Sequence, residues 1–393
     1  MAINKRLIGA GATGTGGGVT PSENFKVITY TGTGSARSIT GVGFKPDLLW
    51  IKRRSSSASH SWTDSSRGNN LVLQSNETSA EASGQITLDS DGFTIGNDNA
   101  LRNTNGETYV AWCWKLDGGT TSSNTDGSIT ATVQANPDAG FSIVRWTGTG
   151  SNGTVGHGLN SAPEFLILKD TSNNFNWYVY SKPSGATNNL RLEGLNTDSS
   201  ATTQNSQLTT TSTLIENLTS LSSLNTSGAN MIIYAFHSVS GYQKIGTYVG
   251  NGTNDGTFVE TGFEPAFVMV KDTSQSADWN IFDNQRNTFD SPPMIKTVLK
   301  ANTNSAEADQ TGIKFFSNGF SVHSASNNVN YSGDTYLYWA IATDAATEQP
   351  TLANSFNIET YIGTGGARSI TGLGFQPNMT WFKDRGRTRE HIL

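Results

Sequence analysis

One pattern recurs four times along the 393 residues and constrains every fold the chain can adopt. An aromatic residue leads into a glycine-rich turn at Tyr30-Thr-Gly-Thr-Gly34, Trp146-Thr-Gly-Thr-Gly150, Tyr248-Val-Gly-Asn-Gly252 and Tyr361-Ile-Gly-Thr-Gly365. Downstream, a proline is followed six residues later by a lysine: Pro46 and Lys52, Pro163 and Lys169, Pro265 and Lys271, Pro377 and Lys383. The prolines are 117, 102 and 112 residues apart, and the lysines keep the same intervals. The chain is therefore built from repeats of about 100 residues, a size at which a repeat can hold its own core.

Between each proline and lysine runs an apolar stretch such as Asp47-Leu-Leu-Trp-Ile51 or Ala266-Phe-Val-Met-Val270. Proline cannot donate to a ladder but is tolerated where a strand begins, so these runs read as buried strands. A second strand is expected around Trp62, Trp177 and Trp279, and a final one at Tyr109–Lys115, Met231–His237 and Tyr336–Ala342. Along the final strands one face holds Val110, Trp112, Trp114, then Ile232, Tyr234, Phe236, then Leu337, Trp339, Ile341. Alternation with a period of two places that large face on a core. Asp91-Gly92 and Asn318-Gly319 signal hairpins. Only 79–82 and 304–309 could hold a helical turn.

The expected fold is all-β: tandem β-sandwich (jelly-roll-like) repeats. The expected divisions are a flexible glycine-rich tail at 1–23, repeat 1 at 24–117, a linker at 118–138 with a strand near 129–133, repeat 2 at 139–239, repeat 3 at 240–345, a linker at 346–354, and an incomplete repeat 4, of the type of repeat 1, at 355–393. The sandwiches are expected to melt independently.

Composition removes several functions. Lysine and arginine total 26 against 32 aspartate and glutamate, a net charge of −6, and charged residues make up 15% of the chain. No basic stripe is available to neutralise phosphates, so nucleic acid is not an expected partner. No run of 18 apolar residues is present to cross a membrane as a helix, and the N-terminus lacks the apolar core of a secretory signal. A single cysteine, Cys113, rules out an internal disulfide framework. Polarity comes instead from 131 Ser, Thr and Asn residues, the vocabulary of turns.

The string Ser38-Ile-Thr-Gly-Val-Gly-Phe-Lys-Pro-Asp-Leu-Leu-Trp-Ile-Lys52, with Ser59-His60, Asp64-Ser-Ser-Arg-Gly68 and Tyr109-Val-Ala-Trp-Cys-Trp-Lys115, resembles a repeat of tailed-bacteriophage virion proteins, the tail-fibre-like appendages frequent in marine phages. Gly156-His-Gly-Leu159 with Ala162-Pro163, and Gly262-Phe-Glu-Pro-Ala-Phe-Val-Met-Val-Lys271, resemble the paired repeats that follow in those proteins. The resemblance spans nearly everything from residue 24 onward. It implies a non-enzymatic virion protein that recognises a host surface through its loops. Its partners would be other virion proteins, a host glycan and further copies of itself, a trimer among the options. The alternative is a carbohydrate-binding array or glycan hydrolase.

No catalytic, cofactor or metal residue is assigned, and each candidate has a structural reading. Gly9-Ala-Gly-Ala-Thr-Gly14 matches a dinucleotide fingerprint in letters but lacks the flanking strand and helix. Asp89-Ser-Asp91-Gly92 could open a calcium loop, yet its counterpart Ser317-Asn318-Gly319 keeps only the turn. His60, His157, His237, His323 and His391 have no metal-ligand spacing and are expected on the surface or in turns. Cys113 is expected to be buried and inert. Lys52, Lys169, Lys271 and Lys383 are read as strand-end lysines whose ammonium meets water or a carboxylate. Asp64/Arg67 and Asp283/Arg286 are read as turn-bracing ion pairs, and repeat 2 lacks this motif. Asp47, Glu164 and Glu264 recur loosely beside the prolines. The variable stretches 53–61, 69–85, 195–213 and 287–310 are the expected recognition loops.

Residues 356–385 match 25–54 at a constant offset of 331, with 18 identities in 30. At that offset Leu393 is the equivalent of Trp62, before the hairpin and the final core strand. Ile362, Phe375, Met379, Trp381 and Phe382 are expected to have no facing sheet, so either the reading frame continues or another chain or repeat supplies the missing strands.

Overall fold

A computed structural model describes residues 19–97, 101–185, 190–194, 208–219, 224–286, 294–324, 326, 328–344, 356–375, 377, 379–388 and 390–392. The chain divides into two compact units, Met1–Asp344 and Ala345–Leu393. The first is all-β apart from a single helical turn, Pro21–Asn24.

Each of the three repeats in that unit builds the same antiparallel four-stranded arrangement. In repeat 1 the order is Phe25–Thr31, Thr108–Trp114, Leu48–Arg53, Ser61–Asp64. In repeat 2 it is Phe141–Thr147, Asn230–Phe236, Phe165–Asp170, Tyr178–Ser181, and in repeat 3 it is Gln243–Val249, Thr335–Ala342, Pro265–Asp272, Trp279–Asp283. The strand that comes last in the sequence thus lies between the first strand and the proline-led strand, and pairs with both along its length. A second set of strands covers one face: Arg37–Thr40, Gly92–Ile95 and Ile86–Asp89 in repeat 1, and Gly153–Gly156, Leu214–Leu218 and Thr209–Thr210 in repeat 2. In repeat 3 the covering strands join the first set, giving one eight-stranded sheet that curls towards a barrel. The expected sandwich architecture is present.

The sandwiches are not independent. Because strand side chains alternate, each final strand has two faces, and they serve different cores. Tyr109, Ala111 and Cys113 face the interior of repeat 1, with Ile39, Ile86, Leu88, Phe93 and Ile95 opposite. Ala235 and Ala340 hold the corresponding places in repeats 2 and 3. The large face points the other way: Val110, Trp112, Trp114, Ile232, Tyr234, Phe236, Leu337, Trp339 and Ile341 all belong to one aromatic core contributed by the three repeats. Trp114 stacks on Trp339 with ring centroids 5.6 Å apart, Phe236 lies 4.4 Å from Trp339, and Trp62 lies 5.1 Å from Tyr234 and 5.5 Å from Trp177. Removing the neighbouring repeats would expose this face to water, so the expectation of independent melting is corrected.

Boundaries shift for the same reason. The segment read as a linker contributes Ser122–Asn124 and Ala131–Asn136 to the sheet of repeat 2. Residues 19–23, read as tail, dock on the first unit: Val19 packs against the shared core and the Ser22 amide donates to Asp344 Oδ1 at 2.8 Å. The rest of the tail and the linker 346–354 lie outside the described residues. Neither expected helical turn forms, since Ala82–Ser83 and Ala308–Phe316 are strands. The Asp91 and Asn318 hairpins do form, with Ser90-Asp91 and Ser317-Asn318 as the two-residue loops, one position earlier than the glycine signal suggested.

In the second unit the described residues hold one isolated bridge, Phe382 with Ile392, which corresponds to the Ile51–Ser61 pair of repeat 1. Ile362 is 86% exposed, Met379 68% and Trp381 66%. Among the described residues, neither the stretch equivalent to Phe25–Thr31 nor the one equivalent to Leu48–Arg53 forms a strand here.

Trp112→Ala removes a fully buried side chain from the shared core and should cost about 3–5 kcal/mol. Calorimetry should show a single transition for repeats 1 to 3 that moves as a whole; loss of one repeat with the others unmoved would contradict the common core.

Candidate functional site

The repeated lysines end the proline-led strands, and the structure buries three of them. Lys52, Lys169 and Lys271 have no exposed surface. Each ammonium turns back onto the carbonyl of the next residue: Lys52 on Arg53 at 2.8 Å, Lys169 on Asp170 at 2.7 Å, Lys271 on Asp272 at 2.8 Å. Lys52 also donates to Asn304 O of repeat 3 at 3.3 Å, and Lys169 donates to Asn173 O at 3.0 Å and to Thr78 O of repeat 1 at 3.1 Å. Lys52 and Lys169 therefore link repeats through backbone carbonyls, which the sequence reading did not anticipate. Burial, with Arg53 and Arg286 adding to it, lowers the Lys52 pKa to about 7; burial lowers Lys169 to about 8 against the pull of Asp170 and Glu193. Lys383 is exposed in the second unit.

The two Asp/Arg pairs brace turns and also reach across repeats. Arg67 Nε lies 2.5 Å from Asp64 Oδ2, and Arg286 Nε lies 2.6 Å from Asp283 Oδ2, all four side chains buried. The Tyr234 hydroxyl of repeat 2 donates to Asp64 of repeat 1 at 2.8 Å. The Trp112 indole of repeat 1 donates to Asp283 of repeat 3 at 3.0 Å. Ser181 holds the matching register in repeat 2, and Trp339 of repeat 3 donates instead to Gln243 Oε1 at 2.9 Å. The missing Asp-x-x-Arg of repeat 2 thus falls at the third position of a cycle in which repeat 2 donates to repeat 1 and repeat 1 to repeat 3.

Two of the expected recognition loops lie in the seams between repeats. Within 53–61, the Ala58 amide donates to Asn304 O at 2.8 Å. From 69–85, Gln74 O and Glu77 O accept the Trp177 indole at 3.0 Å each, and the Ala80 amide donates to Asn174 Oδ1. Most of 195–213 lies outside the described residues, as do 287–293; 294–310 is largely strand. Variability here reflects loops shaped to a neighbour.

The histidines meet the expectation in part: His391 is exposed and His157 lies in its Gly-x-Gly turn, but three of the five are buried. His60, His157 and His237 are buried. His60 Nδ1 accepts the Trp50 indole at 2.7 Å, and His157 Nδ1 accepts the Leu159 amide at 3.1 Å. His323 contacts Ser321 Oγ at 2.6 Å, and His391 is exposed. Cys113 is buried, which pushes its thiol pKa up. Asp91 caps the amides of Gly41 and Gly43, and Asp89 accepts from Thr94. Asp47 takes the amides of Leu116 and Gly118, while Glu164 takes Ser238. Among the described residues no three His, Cys, Asp or Glu side chains converge as a metal group.

What sequence reasoning missed is an asparagine three residues before each final turn glycine. Asn103, Asn225 and Asn330 are buried and hold the aromatic-Gly-x-Gly turns from beneath, accepting the amides of Thr33, Thr149 and Asn251 at 2.9, 3.1 and 3.0 Å. The spacing Asn-x-x-Gly, present in all three repeats, was the available signal. Each turn leaves the residues flanking its first glycine exposed: Thr31 and Thr33, Thr147 and Thr149, Val249 and Asn251.

These turns follow the far ends of the first strands, Phe25–Thr31, Phe141–Thr147 and Gln243–Val249. The other end gathers Asn24, bonded to Asn136, with Gln243 bonded to His237 O and Gly140 O, and Ser22 bonded to Asp344. The sequence matches the family described as Domain of unknown function (DUF7483) over residues 20–345 and again over 352–393. The chain belongs to the DUF7483 family. The first match covers all three repeats together, in keeping with one core, and the second begins a further copy. No curated protein and no solved structure matches the chain.

Two measurements address this machinery. Because the folded pKa of Lys52 lies below its ordinary value near 10.5, the unfolded chain binds more protons between pH 7 and 10.5, and stability should rise with pH in that window. Lys52→Met should flatten the rise of melting temperature between about pH 7 and 9.5. Asp64→Asn should cost about 3–5 kcal/mol in denaturant unfolding by stranding Arg67 in a buried site; a change within 0.5 kcal/mol, the size of an ordinary surface substitution, would show the pair to be dispensable.

Proposed function

We propose that this DUF7483 chain is a non-enzymatic structural and recognition module of a tailed-phage virion appendage. The observation that carries the reading is the polarity of the first unit. Ser22 and Asp344 meet near the start of the first strands, which suits attachment, while a turn braced by a buried asparagine follows the first strand of each repeat. Rigid, hydroxyl-rich turns on a packed scaffold suit recognition of neutral polar groups such as those of a host glycan. The recurring ionisable groups are engaged in bracing the fold, which supports a binding role over hydrolysis; a hydrolase needs two carboxylates about 5–9.5 Å apart across a cleft. Other virion proteins would hold the end where Ser22 meets Asp344.

Immuno-electron microscopy of particles should place the protein on an appendage, and a glycan array should retain it without releasing reducing ends. Absence from particles would remove the virion assignment, and release of reducing ends would establish the hydrolase alternative.

A further inference from the structure

The first and third repeats meet at a seam that the chain itself does not cross. Repeats 1 and 2, and repeats 2 and 3, are joined by continuous backbone, but this seam is closed by noncovalent contacts alone. Backbone bonds run from Ala58 N to Asn304 O at 2.8 Å and from Glu307 N to Arg54 O at 2.9 Å, and Ser75 Oγ donates to Ala301 O at 2.8 Å. Arg54 pairs with Glu307 at 2.9 Å.

His60 sits inside this seam with no exposed surface. Its Nε2 lies 3.0 Å from the Lys300 carbonyl of repeat 3, and its Nδ1 lies 2.7 Å from the Trp50 indole nitrogen. A carbonyl can only accept and an indole N–H can only donate, so Nε2 carries the hydrogen and Nδ1 is bare. The imidazole is held neutral by its partners. A second proton on Nδ1 would confront the indole N–H with another donor, and the bond could survive only if ring and indole moved apart.

We propose that the seam between repeats 1 and 3 is an acid-sensitive latch, in which protonation of His60 opens the local contact of residues 54–60 with 300–307 while the shared aromatic core and the outer sheets stay packed. The charged groups around the seam are Lys52, Arg53, Arg54 and Glu77 from repeat 1 and Asp278, Arg286, Lys300 and Glu307 from repeat 3. With Asp283, which pairs with Arg286, and Glu107, which faces Arg53, the five cations stand with five carboxylates, so the cost of a further proton lies in burial and in the lost Trp50 bond. Burial, helped by the Lys52 charge, holds the His60 pKa well below the ordinary value of 6.5, and the carbonyls of Lys300 and Thr303 oppose this without reversing it. A depressed folded pKa means the open form binds the extra proton, so closure is favoured above 6.5 and weakens as pH falls below it. The second unit repeats the pair, Trp381 Nε1 donating to His391 Nδ1 at 2.8 Å, so the arrangement marks the first type of repeat.

The test is hydrogen exchange followed by mass spectrometry on the full chain between about pH 7 and 5, below the Lys52 window, corrected for intrinsic exchange. Amides of 58–64 and 299–305 should lose protection below about pH 6.5, by up to tenfold in the opening constant per pH unit, while 86–95 in the outer sheet of repeat 1 keeps its protection. His60→Gln, which can accept from Trp50 and donate to Lys300 O without titrating, should abolish the response. Protection at the seam that is constant with pH, that falls equally in 86–95, or that still falls in the glutamine variant would overturn the proposal. The first two outcomes are read on the wild-type chain and do not depend on the variant folding.

Discussion

The structure depends on a strand whose two faces feed two cores. Each final strand turns one apolar face, such as Tyr109, Ala111 and Cys113, towards its own repeat and the other, such as Val110, Trp112 and Trp114, towards the core shared with the other two. A sandwich closed on itself needs only one such face. Two apolar faces leave the strand with no side for water, and the chain meets that demand by arranging three repeats around a common aromatic centre. Burial of apolar area, the dominant favourable term in folding, is thereby shared, and no repeat retains it alone.

Burying that centre favours a partner for each polar group near it, because an unpaired polar atom in a dry interior costs free energy, although the Trp62 and Trp114 indole nitrogens are left without one. This accounts for where the recurring charged residues go. Lys52 and Lys169 reach carbonyls of the adjoining repeat, and Asp64 and Asp283 receive a tyrosine and a tryptophan from the next repeats as well as their own arginines. Residues that look like candidates for binding an acidic ligand are consumed in holding the repeats together.

Much of this was legible in the residues. Proline-led apolar runs gave the inner strands, the period of two identified Trp112, Tyr234 and Trp339 as core, and the Asp-x-x-Arg spacing identified the ion pairs. The reading failed where it needed to know what lies opposite. A period of two shows that a face is buried, not whether its cover is the same repeat or another, so the shared core was taken for three separate ones. Loops 53–61 and 69–85 looked free because they are polar and variable, and both qualities also suit a loop shaped to one neighbour. His60 has no motif, since its partners Trp50 and Lys300 O lie 10 and 240 residues away.

The sequence by itself determined the repeat length, the strand positions, the all-β class and the kinship of 356–385 with 25–54, because these follow from local alternation, turn chemistry and identity along one chain. Tertiary structure alone decided that the last strand lies at the centre of each sheet, that three repeats close into one unit, and that Lys52, Lys169 and His60 are buried at its seams. Those outcomes depend on which surfaces meet across more than a hundred residues of chain. That pairing is set by the competition among all apolar faces for cover, and no local pattern records it.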